Sequence, residues 1–188
     1  MNQKEFFTEV LKILERLHIP YMISGSVGSM LYGEPRMTND IDVVVEMKEE
    51  KVENLLNQFD EEHYYFPSIE FVKESMKRKS QFNIIHLESG SKVDIIFKKL
   101  TEFAEIEFSR KRQVAFTEDF NAFTASPEDI ILSKMAFYHL SGSEKHIKDI
   151  ASMLIISGDQ IDHEYLGNWI SRMGYQEIWN KVQDAAKL

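Results

Sequence analysis

Asp42 and Asp94 stand where strand chemistry disfavours them, inside the apolar runs Asp40-Ile41-Asp42-Val43-Val44-Val45 and Val93-Asp94-Ile95-Ile96-Phe97. Aspartate is depleted from strands, so these two runs constrain the fold more than any other feature of the chain. Successive strand residues point to opposite faces. Asp40 and Asp42 therefore share one face, and Ile41, Val43 and Val45 share the other, which can be buried. By the same alternation Val93, Ile95 and Phe97 face a core and leave Asp94 and Ile96 opposite. If the two strands are neighbours, three carboxylates meet at a sheet edge. Crowded carboxylates raise each other's pKa unless a cation lies between them. Mg²⁺ (or Mn²⁺) suits such a place, because Mg²⁺ is commonly held by one or two carboxylates plus substrate phosphates. Asp40, Asp42 and Asp94 are thus the candidate metal ligands. The plainer reading of Asp40 is a turn cap after Asn39.

A small-residue turn lies upstream. Tyr21-Met22-Ile23 reads as a short buried strand and Val27 to Tyr32 as a short helix, with Ser24-Gly25-Ser26 between them. Glycine lets a backbone approach a phosphate closely, and a helix start offers free N–H groups to an anion. Gly25 and Ser26 are therefore candidate nucleotide-binding residues, with Arg36 and Lys134 as further ones. Guanidinium suits phosphate forks as well as surface ion pairs. Lys134 has a second reading, a stem lying along a packed helix face. Neither a Walker loop nor the dinucleotide-binding glycine spacing is present.

The remaining periodicities sketch a mixed architecture. Phe6, Phe7, Val10, Leu11, Leu14 and Leu17 recur at helical spacing, and His18-Ile19-Pro20 ends that helix. A helix is expected over Glu49 to Phe59, then a loop through residues 60–80 with Ser68 to Lys79 as a further helix. A hairpin follows, Phe82 to Leu87 with Lys92 to Phe97. Glu102 to Phe108 reads as a helix and Gln113 to Phe116 as a strand. Ser126 as cap, Pro127 at the first position and Glu128-Asp129 in the first turn start a helical region. Helices are expected near 127–140, 144–157, 162–172 and 175–186. The fold class is α/β (α+β), a mixed sheet flanked by helices. Residues 1–120 would form its core and 121–188 a C-terminal helical lobe, packed separately or as one domain.

The set formed by Gly25-Ser26, a gap of residues 27–39, Asp40-x-Asp42 and the distant strand Asp94 resembles the nucleotidyltransferase superfamily typified by DNA polymerase β. The run Arg36-Met37-Thr38-Asn39-Asp40-Ile41-Asp42 is similar to small bacterial nucleotidyltransferases, including the abortive-infection toxin group. Ser126-Pro127-Glu128-Asp129 through Lys134 resembles a helix of that group, and His146-Ile147-Lys148-Asp149-Ile150 resembles its Lys-Asp-containing helix. The chain departs from that pattern at Ser152, where an aspartate is often found. The resemblance implies transfer of a nucleoside monophosphate from a nucleoside triphosphate to an acceptor hydroxyl. It implies two metal ions on Asp40 and Asp42, Asp94 as ligand or base, and Gly25 and Ser26 on the β- and γ-phosphates.

Charge and composition bound the acceptor only loosely. The 188-residue chain carries a formal net charge of −9, which makes it a poor general binder of nucleic acid. Basic residues cluster locally at Lys73–Lys79, at Lys98-Lys99 and at Arg110–Arg112. These are either solvated faces or a rim for RNA or a triphosphate tail. An RNA acceptor such as tRNA fits a toxin-like enzyme with an antitoxin protein as partner. A small cation such as an aminoglycoside fits the acidic charge, and a nucleotide- or partner-binding module without catalysis is the non-enzymatic reading. The absence of cysteine excludes disulfides and thiolate metal sites. The polar start and the lack of a membrane-length apolar run predict a cytoplasmic protein with no membrane partner.

Overall fold

The strands β1 (Tyr21–Ser24), β2 (Asp40–Val45), β3 (Tyr64–Tyr65), β4 (Gln81–His86), β5 (Lys92–Phe97), β6 (Arg112–Thr117) and β7 (Phe120–Thr124) form one mixed sheet. Its seven strands run in the order β3-β4-β5-β2-β1-β7-β6 in a computed structural model that describes residues 1–187. β2 pairs in parallel with β5 and antiparallel with β1, while β4 pairs antiparallel with β5. Ile41, Val43, Val45, Val93, Ile95 and Phe97 are at most 1% exposed, so one face of β2 and β5 is core. Phe82, Ile84 and His86 continue that face on β4.

The chain divides into two compact units. The first comprises Met1–Ser24 and Thr38–Thr124, and the second comprises Gly25–Met37 and the chain from Ala125 onward. In the first unit α1 (Gln3–Arg16) buries Phe6, Phe7, Val10, Leu11, Ile13 and Leu14. Asn2 caps it, accepting the Glu5 N–H, while the Glu5 carboxylate accepts the Asn2 N–H. Phe6 packs on Tyr64 and His86, with ring centroids at 5.8 and 5.7 Å. The helices α3 (Val52–Leu56), α4 (Ile69–Lys77) and α5 (Glu102–Ser109) complete this unit. The expected Glu49–Phe59 helix is shorter, a 3-10 turn followed by α3.

Two strands had no clear signal in the sequence. β3 spans two residues, too few for an alternation to register. β7 lies where a boundary was expected. It turns back from β6 and pairs in parallel with β1 through Ile23 and Thr124. Only Ala122 and Thr124 of its residues are buried, a weak alternation.

The second unit is helical: α2 (Gly25–Met30), α6 (Pro127–Ser141), α7 (Glu144–Ser157), α8 (His163–Met173) and α9 (Gln176–Ala186). At the start of α6 Ser126 Oγ accepts the Asp129 N–H and donates to Asp129 Oδ2 at 2.8 Å. Asp129 Oδ1 accepts the Tyr165 hydroxyl at 2.7 Å, and Glu128 Oε1 accepts the Asp162 N–H at 2.9 Å. Ser126 thus caps α6, and the two buried carboxylates fasten the start of α8. The 25–37 segment is held by similar means. Tyr32 O accepts the Ser157 hydroxyl, and Ser152 Oγ accepts the Glu34 N–H. A Cβ at Gly33 would lie 2.8 Å from Ser152 Oγ and 3.2 Å from Met153 N, so a larger residue there would force its neighbours to shift.

Arg36 provides the charged fastening. Its Nε and Nη2 donate to Asp149 Oδ1 and Oδ2 at 2.9 and 3.1 Å, and Lys134 Nζ donates to Asp149 Oδ2 at 2.6 Å. The Asp149 and Lys134 side chains are 9% and 3% exposed. Burial opposes ionisation of Asp149, yet the hydrogen bonds from Arg36 and Lys134 outweigh it and hold the carboxyl below its ordinary range. Burial also pushes the Lys134 ammonium down, against the pull of Asp149. Asp149→Asn leaves two cations without their shared counter-charge, so a destabilisation on the order of 3 kcal/mol is expected near neutral pH. The folded carboxyl titrates below its reference value of 3.8, so its contribution is complete above that pH and is lost as the pH falls through the lower folded value. Urea denaturation should show the gap between the two proteins narrowing as the pH falls below that reference value. A gap that stays constant would contradict an ionised Asp149 as its source.

Candidate active site

Register collects the polar residues of the sheet into one row. Asp42 on β2 pairs with Asp94 on β5, Asp94 pairs with Asn83 on β4, and Asp42 pairs with Ser24 on β1. Residues in register on neighbouring strands share a face, about 4.7–4.9 Å apart between strands. Asn83, Asp94, Asp42 and Ser24 therefore cross the sheet side by side, opposite the buried face. Asp40 shares the face of Asp42 and is in register with Lys92. The row lies at the start of β2 and β5 and at the end of β1.

Each carboxylate has a defined setting. Asp40 Oδ1 accepts the Thr38 hydroxyl at 2.5 Å. Asp94 is 5% exposed; its Oδ2 accepts Lys92 Nζ at 2.7 Å, and its Oδ1 is buried with no hydrogen-bond partner. The hydrogen bond to Asp94 lifts the Lys92 ammonium above its ordinary pKa against partial burial, and the charges of Asp40 and Asp42 add to the lift. Lys92, Asn83 and Ser24 escaped the sequence reading. Asn83 and Ser24 come to the aspartates only through the pairing register, whereas Lys92 shares the face of Asp94 by strand alternation alone, a signal the sequence carries. The expected hairpin, Phe82 to Leu87 with Lys92 to Phe97, sets Ile85 opposite Asp94; the observed register is shifted by two residues and sets Asn83 there.

Among the described residues no three His, Asp or Glu side chains stand so that together they would hold a metal ion. Lys92 and Thr38 each engage one oxygen of the set. The donors nonetheless fit a hard divalent ion. They are all oxygens, Asp42 stands beside Asp94, and Asp94 Oδ1 is an orphaned buried acceptor. Leaving such an acceptor unpaired costs about 1–3 kcal/mol or more when it is charged, and a cation removes that cost.

The other candidate residues gather in the second unit. Gly25 has φ +61°, a backbone conformation that favours glycine, and follows directly on Ser24 in the chain. Ser26 Oγ accepts Arg36 Nη2 at 2.5 Å, so Ser26, Arg36, Asp149 and Lys134 form one hydrogen-bonded chain. Lys134 is buried in an ion pair within this chain. The Lys-Asp pair of α7 was legible in the sequence, but the role of Asp149 as the shared partner of Arg36 and Lys134 was not.

Much of the clustered basic charge is engaged locally. Lys98 pairs with Glu46 and Glu105 at 2.6 and 2.7 Å, Arg78 pairs with Glu74 at 2.8 Å, and Lys73 pairs with Glu49 at 3.3 Å. The Lys111 ammonium lies 4.3 Å from the Phe108 ring centre. Among the described residues no helix is long and apolar enough to cross a membrane.

Several solved structures share this fold. ANT(2")-Ia, in complex with adenylyl-2"-tobramycin, is 14% identical with a TM-score of 0.62, over 95% of this chain and 99% of that one. The lincosamide antibiotic adenylyltransferase LnuA, lincomycin-bound, is 16% identical with a TM-score of 0.56, over 84% and 99%. An antigenic nucleotidyltransferase-like protein from Paracoccidioides brasiliensis is 17% identical with a TM-score of 0.55, over 96% and 92%. At these identities the likeness is one of fold. No curated protein matches the chain. The profile of the family described as "Nucleotidyltransferase of unknown function (DUF6036)" matches residues 2–184, and the chain belongs to that family.

Proposed function

We propose that this protein transfers a nucleoside monophosphate from a nucleoside triphosphate to an acceptor hydroxyl, with Mg²⁺ (or Mn²⁺) held by Asp40, Asp42 and Asp94. The observation that carries this reading is the in-register pair Asp42–Asp94 with its buried, unpartnered Oδ1. Bound there, two such ions would neutralise the triphosphate and lower the pKa of the acceptor hydroxyl. The bond formed joins the acceptor oxygen to the α-phosphorus. The bond broken joins the α-phosphorus to the α–β bridging oxygen, and pyrophosphate leaves. Asp94, as ligand or base, receives or orients the departing hydroxyl proton. Thr38 fixes the orientation of Asp40 through its hydroxyl. Gly25 and Ser26 are the proposed β- and γ-phosphate contacts, supported by their place in the chain directly after Ser24, the strand partner of Asp42. Arg36 and Lys134 are proposed to add positive charge to the triphosphate tail, with Asp149 orienting both.

The acceptor we put first is an RNA hydroxyl, tRNA in particular, in a toxin-like role that would bring an antitoxin protein as partner. The run Arg36–Asp42 supports it. A small cationic alcohol is the second reading. It is supported by the net charge of −9, by the local pairing of the basic clusters, and by the antibiotic adenylyltransferases of the same fold. Incubation with each labelled nucleoside triphosphate, Mg²⁺, and either total tRNA or an aminoglycoside panel separates the two. Label entering only the small molecule overturns the RNA preference. Label entering neither, with intact nucleotide binding, favours a binding module.

Two substitutions test the site. Asp42→Asn is expected to lower turnover by at least about 100-fold, the scale of losing a group that acts on the transferred proton or its metal. Ser26→Ala removes the hydroxyl that accepts Arg36 Nη2 and is proposed to meet a phosphate, and is expected to weaken nucleotide binding by about 10-fold or more. Calorimetry with and without Mg²⁺ reads the binding. Equal affinity in both conditions, or an unaffected Asp42→Asn, contradicts the proposal.

A further inference from the structure

We infer that Lys92 is a built-in counter-cation of the carboxylate row, displaced when a divalent ion binds, and that this exchange makes the site take metal and nucleotide together rather than metal alone. The inference rests on the metal reading above and concerns how this chain's own lysine controls it.

Position argues for the exchange. Lys92 Nζ is 2.7 Å from Asp94 Oδ2, and Asp40 is its register partner on β2. On the other side Lys92 pairs with Ile85 of β4, which offers no counter-charge. The ammonium therefore belongs to the aspartate side of the sheet. A lysine head is a compact point charge on a flexible stem, so it can neutralise crowded carboxylates much as a metal ion would. Its side chain is 33% exposed, whereas that of Asp94 is 7% exposed. The lysine can thus swing out to solvent while the carboxylate stays. Asp94 Oδ1 shows that one ammonium does not saturate this carboxylate. A divalent ion brings more charge and more coordination positions, and it competes for the same oxygens.

The cost of the exchange depends on where the displaced ammonium goes. With metal alone it loses the carboxylates and gains only water. With a metal–triphosphate complex it meets a polyanion at the same sheet edge and exchanges one charged partner for another. Metal and nucleotide binding are then positively coupled, and by linkage each raises the other's affinity by the same factor. Nothing in this exchange requires a covalent step.

The test is a Mn²⁺ titration of the full chain, reading free Mn²⁺ by electron paramagnetic resonance, with and without a non-hydrolysable ATP analogue. Wild type is compared with Lys92→Met, which keeps the stem and removes the charge, and with Lys92→Arg, which keeps the charge. Without nucleotide, Lys92→Met is expected to bind Mn²⁺ about fivefold more tightly, the size of one unit-charge interaction at about 4 Å in water. Lys92→Arg should stay close to wild type. The analogue should raise Mn²⁺ affinity more in wild type than in Lys92→Met. Lys92→Gln repeats the comparison if the methionine variant fails to fold. A purely structural lysine predicts the opposite sign, because its loss would loosen the strands and weaken metal binding. Wild type that binds Mn²⁺ no more weakly than Lys92→Met, or an equal nucleotide enhancement in both, overturns the inference while leaving the metal reading intact. Wild type that binds no Mn²⁺ even with the analogue overturns the metal reading and this inference with it.

Discussion

The parallel register of β2 against β5 is the constraint on which the rest depends. It sets Ile41, Val43 and Val45 beside Val93, Ile95 and Phe97 in a face that excludes water almost completely. The same register sends Asp40, Asp42, Lys92 and Asp94 to the opposite face. A slip of β2 by one residue would turn Ile41, Val43 and Val45 outward and bury Asp40 and Asp42 among aliphatic side chains. The core and the polar row are thus two consequences of one pairing, and the stability of the first enforces the geometry of the second. β1 and β4 extend the row by contributing Ser24 and Asn83.

Buried charge is treated in two different ways. In the helical unit Asp149 is satisfied from both sides, by the Arg36 fork and by Lys134, and its cost is offset within the fold. In the sheet Asp94 is satisfied on one oxygen and not on the other. A fully paired buried network gives rigidity, while a half-paired one is the kind of local inconsistency that marks functional places. This contrast between Asp149 and Asp94 is what supports the proposal that Asp94 takes a ligand.

The sequence made the aspartate strands legible because β-branched runs of period two leave little choice of structure, and aspartate inside them breaks the local rule. The α6 start was legible from Ser126, Pro127 and the acidic first turn, each a local signal. Helix and strand identity through most of the chain follows from the same short-range physics. What stayed hidden depends on pairing between distant segments. β7 carries too little alternation to announce itself, and its partner β1 lies some hundred residues earlier, Ile23 against Thr124. Lys92 reads as an ordinary first strand residue until register sets it beside Asp40. Asp149 reads as an exposed helical charge until α6 and the 25–37 segment bring Lys134 and Arg36 to it. The assignment of residues 25–37 to the helical unit likewise rests on such contacts, and no composition change marks it.

A crystal structure with Mn²⁺ and a non-hydrolysable ATP analogue, with the manganese located by its anomalous scattering, would show whether the carboxylate row holds metal and nucleotide. The expected result is an anomalous peak coordinated by Asp42 and Asp94 oxygens together with the triphosphate, with Lys92 moved off Asp94. An analogue bound elsewhere, or a manganese peak away from the aspartate row with the Lys92–Asp94 pair still closed, would contradict it.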